Sequence, residues 1–262
     1  MGHQVRDPEV ARRYLEYWQQ LAGDPHAEQL RGWNDAHPPL REVGQPGIST
    51  VFSPRSPLEA LEWYAHVLEK ARTSVFLTAA FGLNRLFQEV FSQPRPYLRY
   101  LLLDTPGKGI DLIVRHPGNQ VCVGDLLDQN EIDAWFLRTW HAEQLTGLNK
   151  HVQYVHTKYM LVDPLGDSPL LISGSANFSD NSTRNNDENM LIIQGDSRVV
   201  DLYLTEFMRL FTHFRFRGTE LGAPASSRTG RLISPYLAPD DSWSLPFYEQ
   251  DSPKQKERLL FA

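Results

Sequence analysis

The sequence predicts an α/β fold in which helices layer on a sheet. Two observations carry this. Short apolar runs bounded by turn residues alternate with longer segments of helical periodicity, the order that builds helix-on-sheet layers. Hydrophobic residues make up 41% of the 262 residues, which allows a real core. At roughly 100–200 residues per domain, the length allows one large domain or two small ones.

The elements follow in order. DPEVARRYLEYWQQLA (7–22) reads as a helix, with Asp7 as cap, Pro8 at the first helical position and Glu9 at the positive end. Residues 23–47, rich in Pro, Gly, Asp and His, read as a linker. From Ser56 a second Ser-Pro start opens a helix with Leu58, Leu61, Ala65 and Leu68 at helical spacing. Strands are expected at 74–79, 97–104 and 111–116, then a helix at 131–145. Residues 152–163 and 169–175 read as a strand pair turning around Leu165, Gly166 and Asp167, followed by a strand at 189–195 and a long helix at 196–214. The Pro-, Ser- and Gly-rich stretch 218–262 reads as an irregular tail packed on a domain spanning 48–217.

One internal similarity runs without a gap. With Asp7 set on Asp196, Val10 meets Val199, Tyr14 meets Tyr203, Leu15 meets Leu204, Trp18 meets Phe207 and Leu21 meets Leu210. Any two amphipathic helices share part of such a pattern; read as a repeat, it makes 1–22 the closing strand and helix of a preceding copy.

Composition narrows the function. Twenty-six basic against 32 acidic residues give a formal charge of -6, unsuited to generic binding of polyphosphate or anionic membrane. Cys122 is the single cysteine, so no internal disulfide forms. No apolar run is long enough for a membrane span, and the first residues lack a signal-peptide core. With no targeting signal read, a cytoplasmic location is the default.

The chemistry concentrates in VHTKYMLVD (155–163), GSANF (174–178) and NDEN (186–189). Strand side chains alternate, so His156, Lys158 and Met160 share a face while Asp163 points the other way. His156 is a candidate nucleophile or general acid, and Lys158 a fixed positive charge for a phosphate oxygen. Gly174 allows close backbone approach, while Ser175 and Asn177 offer donors to phosphoryl oxygens. Glu188 is expected to hold the other ring nitrogen of His156. Asp163, of opposite parity, is expected to organise the hairpin through hydrogen bonds. His141, His151, His213, Arg184, the Gly107-Lys108-Gly109 turn, Trp243 and Phe247 carry weaker signals. No histidine spacing resembles a zinc site, so neither metal nor cofactor is expected.

HTKYMLVD followed by GSANFSDNSTRNNDEN resembles the signature of the phospholipase D superfamily, and the likeness extends over roughly 50–214. The resemblance implies a layered fold with a mixed central sheet and metal-independent phosphodiester chemistry through a phosphohistidine. It makes His156 the catalytic histidine, Lys158 a phosphate ligand, Asp163 the motif aspartate, Ser175 and Asn177 phosphate-site residues, and Glu188 the partner of the histidine. Ten residues separate Asp163 from Gly174 where the usual pattern has about six, which fits a longer hairpin turn.

Sites of this family need two such motifs, and the chain has one His-x-Lys pair. The expectation is a phosphodiesterase half, the C-terminal half of a two-motif protein, completed by a second half or by a homodimer mate. The alternatives are a homodimeric metal-independent endonuclease and a non-catalytic phosphate-binding half. A phospholipid or nucleic-acid phosphodiester is the expected substrate.

Overall fold

The computed structural model describes residues 2–38, 45–105, 107–124, 155–220 and 239–262. Its seven described strands form one mixed sheet: β1 (Gly47–Ser53), β2 (Ser74–Ala79), β3 (Leu98–Leu103), β4 (Asn119–Val123), β5 (Tyr159–Val162), β6 (Leu170–Gly174) and β7 (Glu188–Gln194). Their order is β1-β7-β6-β5-β2-β3-β4. Strands β2, β3 and β4 run parallel; β5, β6, β7 and β1 continue antiparallel from β2.

The central strands are apolar on both sides, as strands covered by helices on both faces must be. Val75 and Leu77 of β2 and Leu101 and Leu103 of β3 face one core, shared with α3 (Glu59–Glu69) and α4 (Arg85–Ser92). Phe76, Leu98, Tyr100 and Leu102 face the other, closed by Val200, Tyr203, Leu204, Phe207 and Phe211 of α7 (Ser197–Glu220). Phe76 stacks on Tyr100 at 4.7 Å between centroids and meets Phe207 edge-on at 5.2 Å.

Helix α1 (Pro8–Ala22) starts as its sequence demands, with the Asp7 carboxylate accepting from the N–H groups of Glu9 and Val10. The stretch read as a linker contains a helix, α2 (Ala27–Ala36), begun where the Gln29 side chain reaches back to the His26 N–H at 3.1 Å. Leu30 of α2 packs with Tyr17 and Phe52 in a small third core. The same stretch ends in the first residue of β1, an edge strand that the sequence reading missed.

Residues 111–116 are a correction. They were expected as a strand, but 111–114 belong to a helical turn, α5 (Ile110–Val114), entered through Gly109 at φ 82°. Ile110 and Ile113 pack on the core while Leu112 is exposed, a spacing of three rather than two. The strand is the next segment, β4. The tail expected to be irregular holds a 3₁₀ turn (Ser242–Phe247) and a helix, α8 (Pro253–Leu260), within its described part. The helix expected at 131–145 lies outside the described residues. No helix among the described residues is long and apolar enough to cross a membrane.

Candidate functional site

Strand β5 begins only at Tyr159, so His156 and Lys158 stand just before the ladder rather than inside it. Side chains from neighbouring strands hold this approach in place. Thr78 of β2 donates its hydroxyl to the Thr157 carbonyl at 2.9 Å and accepts the Tyr159 N–H at 3.1 Å. Asp104, buried at the end of β3, accepts the Val155 N–H at 2.8 Å.

The two motif side chains then open on one cleft of about 620 Å³. His156, Lys158, Ser175 and Asn189 line it from the sheet side, Tyr203 from α7, and His3 and Tyr14 from the amino-terminal segment. The last turn of β6 allows this because residue 174 is glycine. A Cβ there would sit 2.0 Å from the Asn189 carbonyl oxygen, so only glycine lets β6 and β7 come this close before Ser175.

Ser175 is tied to β7. Its hydroxyl oxygen accepts the Asn189 N–H at 3.0 Å, and the Asn189 side-chain amide lies 3.4 Å away. The Asn189 amide oxygen accepts from the Tyr14 hydroxyl at 3.0 Å. Across the cleft, His3 Nε2 lies 2.6 Å from the Tyr203 hydroxyl, itself 3.0 Å from Ser173 Oγ. Asn189, Tyr14, Tyr203 and His3 were not singled out from sequence. Asn189 was within reach, since it closes the NDEN string; the two tyrosines were seen only as matched positions of the internal similarity.

The electrostatics are directional. Partial burial, reinforced by Lys158, lowers the His156 imidazole below its ordinary range, against the opposing charge of Asp104. A ring so placed is largely neutral at neutral pH. Burial also lowers the Lys158 ammonium, opposed by Glu188. Lys158 Nζ donates to the His156 carbonyl at 2.9 Å, which draws its head group back along its own segment. His3 is lowered chiefly by burial.

The other expected residues sit apart. Asp163 takes φ 46°, and its carboxylate accepts from the N–H groups of Arg72, Thr73 and Ser74 and from the Thr73 hydroxyl at 2.7–3.1 Å. It fastens the end of β5 to the entry of β2. Glu188 accepts from the Asn186 amide at 3.2 Å, and its charge bears on Lys158; the carboxylate whose charge bears on His156 is Asp104. Asn177 and Glu188 are not among the residues that line the cleft, and Asn177 Oδ1 is buried with no hydrogen-bond partner among the described residues. Arg184 lies on α6 (Asp180–Asn185), its carbonyl accepting from Arg31 at 2.8 Å. His213 packs edge-on to Phe214, and Trp243 edge-on to Phe247, all away from the cleft. His141 and His151 lie outside the described residues. Among the described residues no group of three His, Cys, Asp or Glu is placed to hold a metal ion.

The described residues thus form a mixed α/β sheet whose strand ends bring an imidazole, an ammonium and a serine to one cleft. The model of the family described as cardiolipin synthase, PLD-like domain, matches residues 90–211. The mitochondrial cardiolipin hydrolase of Canis lupus familiaris is 39% identical over 85 residues, covering 32% of this chain and 31% of that protein. The chain thus spans about a third of the length of the curated relative it matches. Among solved structures it is similar to Nuc, a phospholipase D family member from Salmonella typhimurium, with TM-score 0.44, 16% identity, and coverage of 63% of this chain and 93% of that one. NucT from Helicobacter pylori gives TM-score 0.43, 18% identity, and coverage of 63% and 96%. Residues 90–211 are thus similar to phospholipase D-like domains, a likeness that covers less than half of the chain.

Proposed function

We propose that this chain carries half of a phosphodiesterase site and hydrolyses the phosphodiester of a phospholipid headgroup through a phosphohistidine. The observation that carries this reading is the shared cleft. His156, Lys158 and Ser175 line one wall, and the imidazole is held below its ordinary range, so its free base is available at neutral pH. In the first step a ring nitrogen of His156 attacks phosphorus and an N–P bond forms. The bond to the leaving oxygen breaks, and that oxygen takes a proton from a second histidine. In the second step water attacks phosphorus, gives its proton to that same histidine, and releases His156. Splitting one displacement into two lowers each barrier. Lys158 and Ser175 hold the non-bridging oxygens as charge moves through them.

The second motif comes from another half or from a second copy of this chain. A lipid substrate is supported by the acidic balance, which disfavours generic grip on polyphosphate, and by the cardiolipin description of the matched family. The test is hydrolysis of a chromogenic phosphodiester, a cardiolipin vesicle and duplex DNA, each with EDTA present. Parent activity on the diester and the vesicle, reduced to background in His156→Ala, is the expected result. Undiminished turnover by His156→Ala overturns the mechanism, and cleavage of DNA alone overturns the choice of substrate.

A further inference from the structure

Among the described residues, the segment that presents His156 has no strand paired with it. Residues 155–157 precede β5, and the backbone bonds described for them go to side chains. Two buried ones supply the bonds. Asp104 is 2% exposed, is fixed by its own N–H to the Ala79 carbonyl at 3.0 Å, and holds the Val155 N–H at 2.8 Å. Thr78 is fully buried and holds the Thr157 carbonyl and the Tyr159 N–H. His156 therefore stands between two clamped residues, one on each side. Only one of the two clamps is charged. Burying a carboxylate is costly where a neutral acceptor would serve a backbone N–H equally well. The position of that charge, against the segment that carries an imidazole, gives it a use.

We propose that Asp104 is a positioning residue for His156: its buried carboxylate, bonded to the residue just before it, fixes the backbone that carries the ring and sets a negative charge against that segment. The inference rests on His156 being the reacting imidazole. Several charged groups face that ring or its surroundings. Lys158 acts from the same segment and Asp104 from the end of β3; His3 lines the opposite wall of the cleft; Glu188, at the start of β7, acts on Lys158. Burial and Lys158 push the ring toward its neutral form, and Asp104 opposes them. Through this opposition the ring can both attack and, in the returning step, depart.

The experiment separates charge from clamp. Asp104→Asn keeps an acceptor of the same shape and removes the charge, whereas Thr78→Val removes the other clamp and changes no charge. The His156 ring proton is titrated by NMR in the full chain, its resonance identified by its loss in His156→Ala, and the diester rate is measured on the same samples. Asp104→Asn should lower the His156 midpoint by about 1 pH unit. Thr78→Val should leave the midpoint in place and reduce kcat by about 10²-fold through misplacement of the ring. Asp104→Glu should restore a midpoint near the parent's. An unmoved midpoint in Asp104→Asn, or an equal shift in Thr78→Val, overturns the proposal. If Asp104→Asn does not fold, the Glu variant and Thr78→Val decide: a Glu midpoint displaced as far as that of a neutral ring environment overturns it. The titration needs no turnover, so the Asp104 result stands by itself even where the isolated chain, lacking its second half, cleaves nothing.

Discussion

At position 163 the backbone takes a left-handed conformation that aspartate tolerates and most residues do not. The same side chain accepts from three consecutive N–H groups at the entry of β2. Asp163→Ala loses both the tolerance and the bonds, and should cost about 3 kcal/mol, since hydrogen bonds to a charged group are each worth about 1.5–3. Asp163→Asn should cost about half of that. Urea unfolding, with an unchanged slope and a lower midpoint, measures both. A second residue-scale prediction concerns pH. Because His156 is held below 6.5, it loses its proton at lower pH than a free histidine. The acid limb of kcat/KM should therefore rise through a midpoint below 6.5; a rate that instead falls as the ring loses its proton would mean that the protonated ring is the active form. The opposite parity of Asp163 was legible from the two-residue strand period. The neighbour of His156 was not. Glu188 lay in a conspicuous polar string, whereas Asp104 merely ended an apolar run, and which carboxylate's charge bears on the ring depends on strand order rather than on spacing.

Elements were legible where burial and period agree. Strand β2, buried along its whole length, and helix α7, apolar at the spacing its core demands, fall where the sequence put them. α5 failed because a single helical turn of apolar residues looks like a short strand until a left-handed glycine turns it. The aligned helices α1 and α7 differ in environment. Leu204 and Phe207 are buried, yet their counterparts Leu15 and Trp18 are 53% and 62% exposed. The matched tyrosines nevertheless meet at one place, since Tyr14 and Tyr203 both line the cleft. Where two strands approach, the decisive residue is Gly174. Gly174→Ala would drive a methyl group into the backbone of β7, which cannot move aside as a flexible side chain would. It should cost about 3 kcal/mol, the upper end of overpacking penalties. Thermal unfolding compared with Gly166→Ala, whose added carbon meets its nearest neighbour at 3.3 Å, checks that the loss is local to the β6–β7 approach.

At the scale of the whole molecule, the layered α/β architecture was legible because alternating apolar strands and amphipathic helices leave few other ways to bury both. What completes the site was not, because one chain contains one His-x-Lys pair and a cleft shows only its own walls. The proposed mechanism needs a second proton carrier, and this makes a prediction about concentration. If a second copy supplies it, the rate per chain is not constant. It rises with protein concentration below the dimer dissociation constant and levels off above it, because only the associated form turns over. A rate measured from nanomolar to high micromolar chain, alongside the mass in solution, should show both changes at the same concentration. Mixing parent with an excess of His156→Ala should then depress the rate per parent chain, as each mixed pair lacks one imidazole. A rate strictly proportional to concentration, from a species with the mass of one chain, would instead require the second proton carrier to lie within these 262 residues. His3, across the cleft from His156, would be the first residue to substitute.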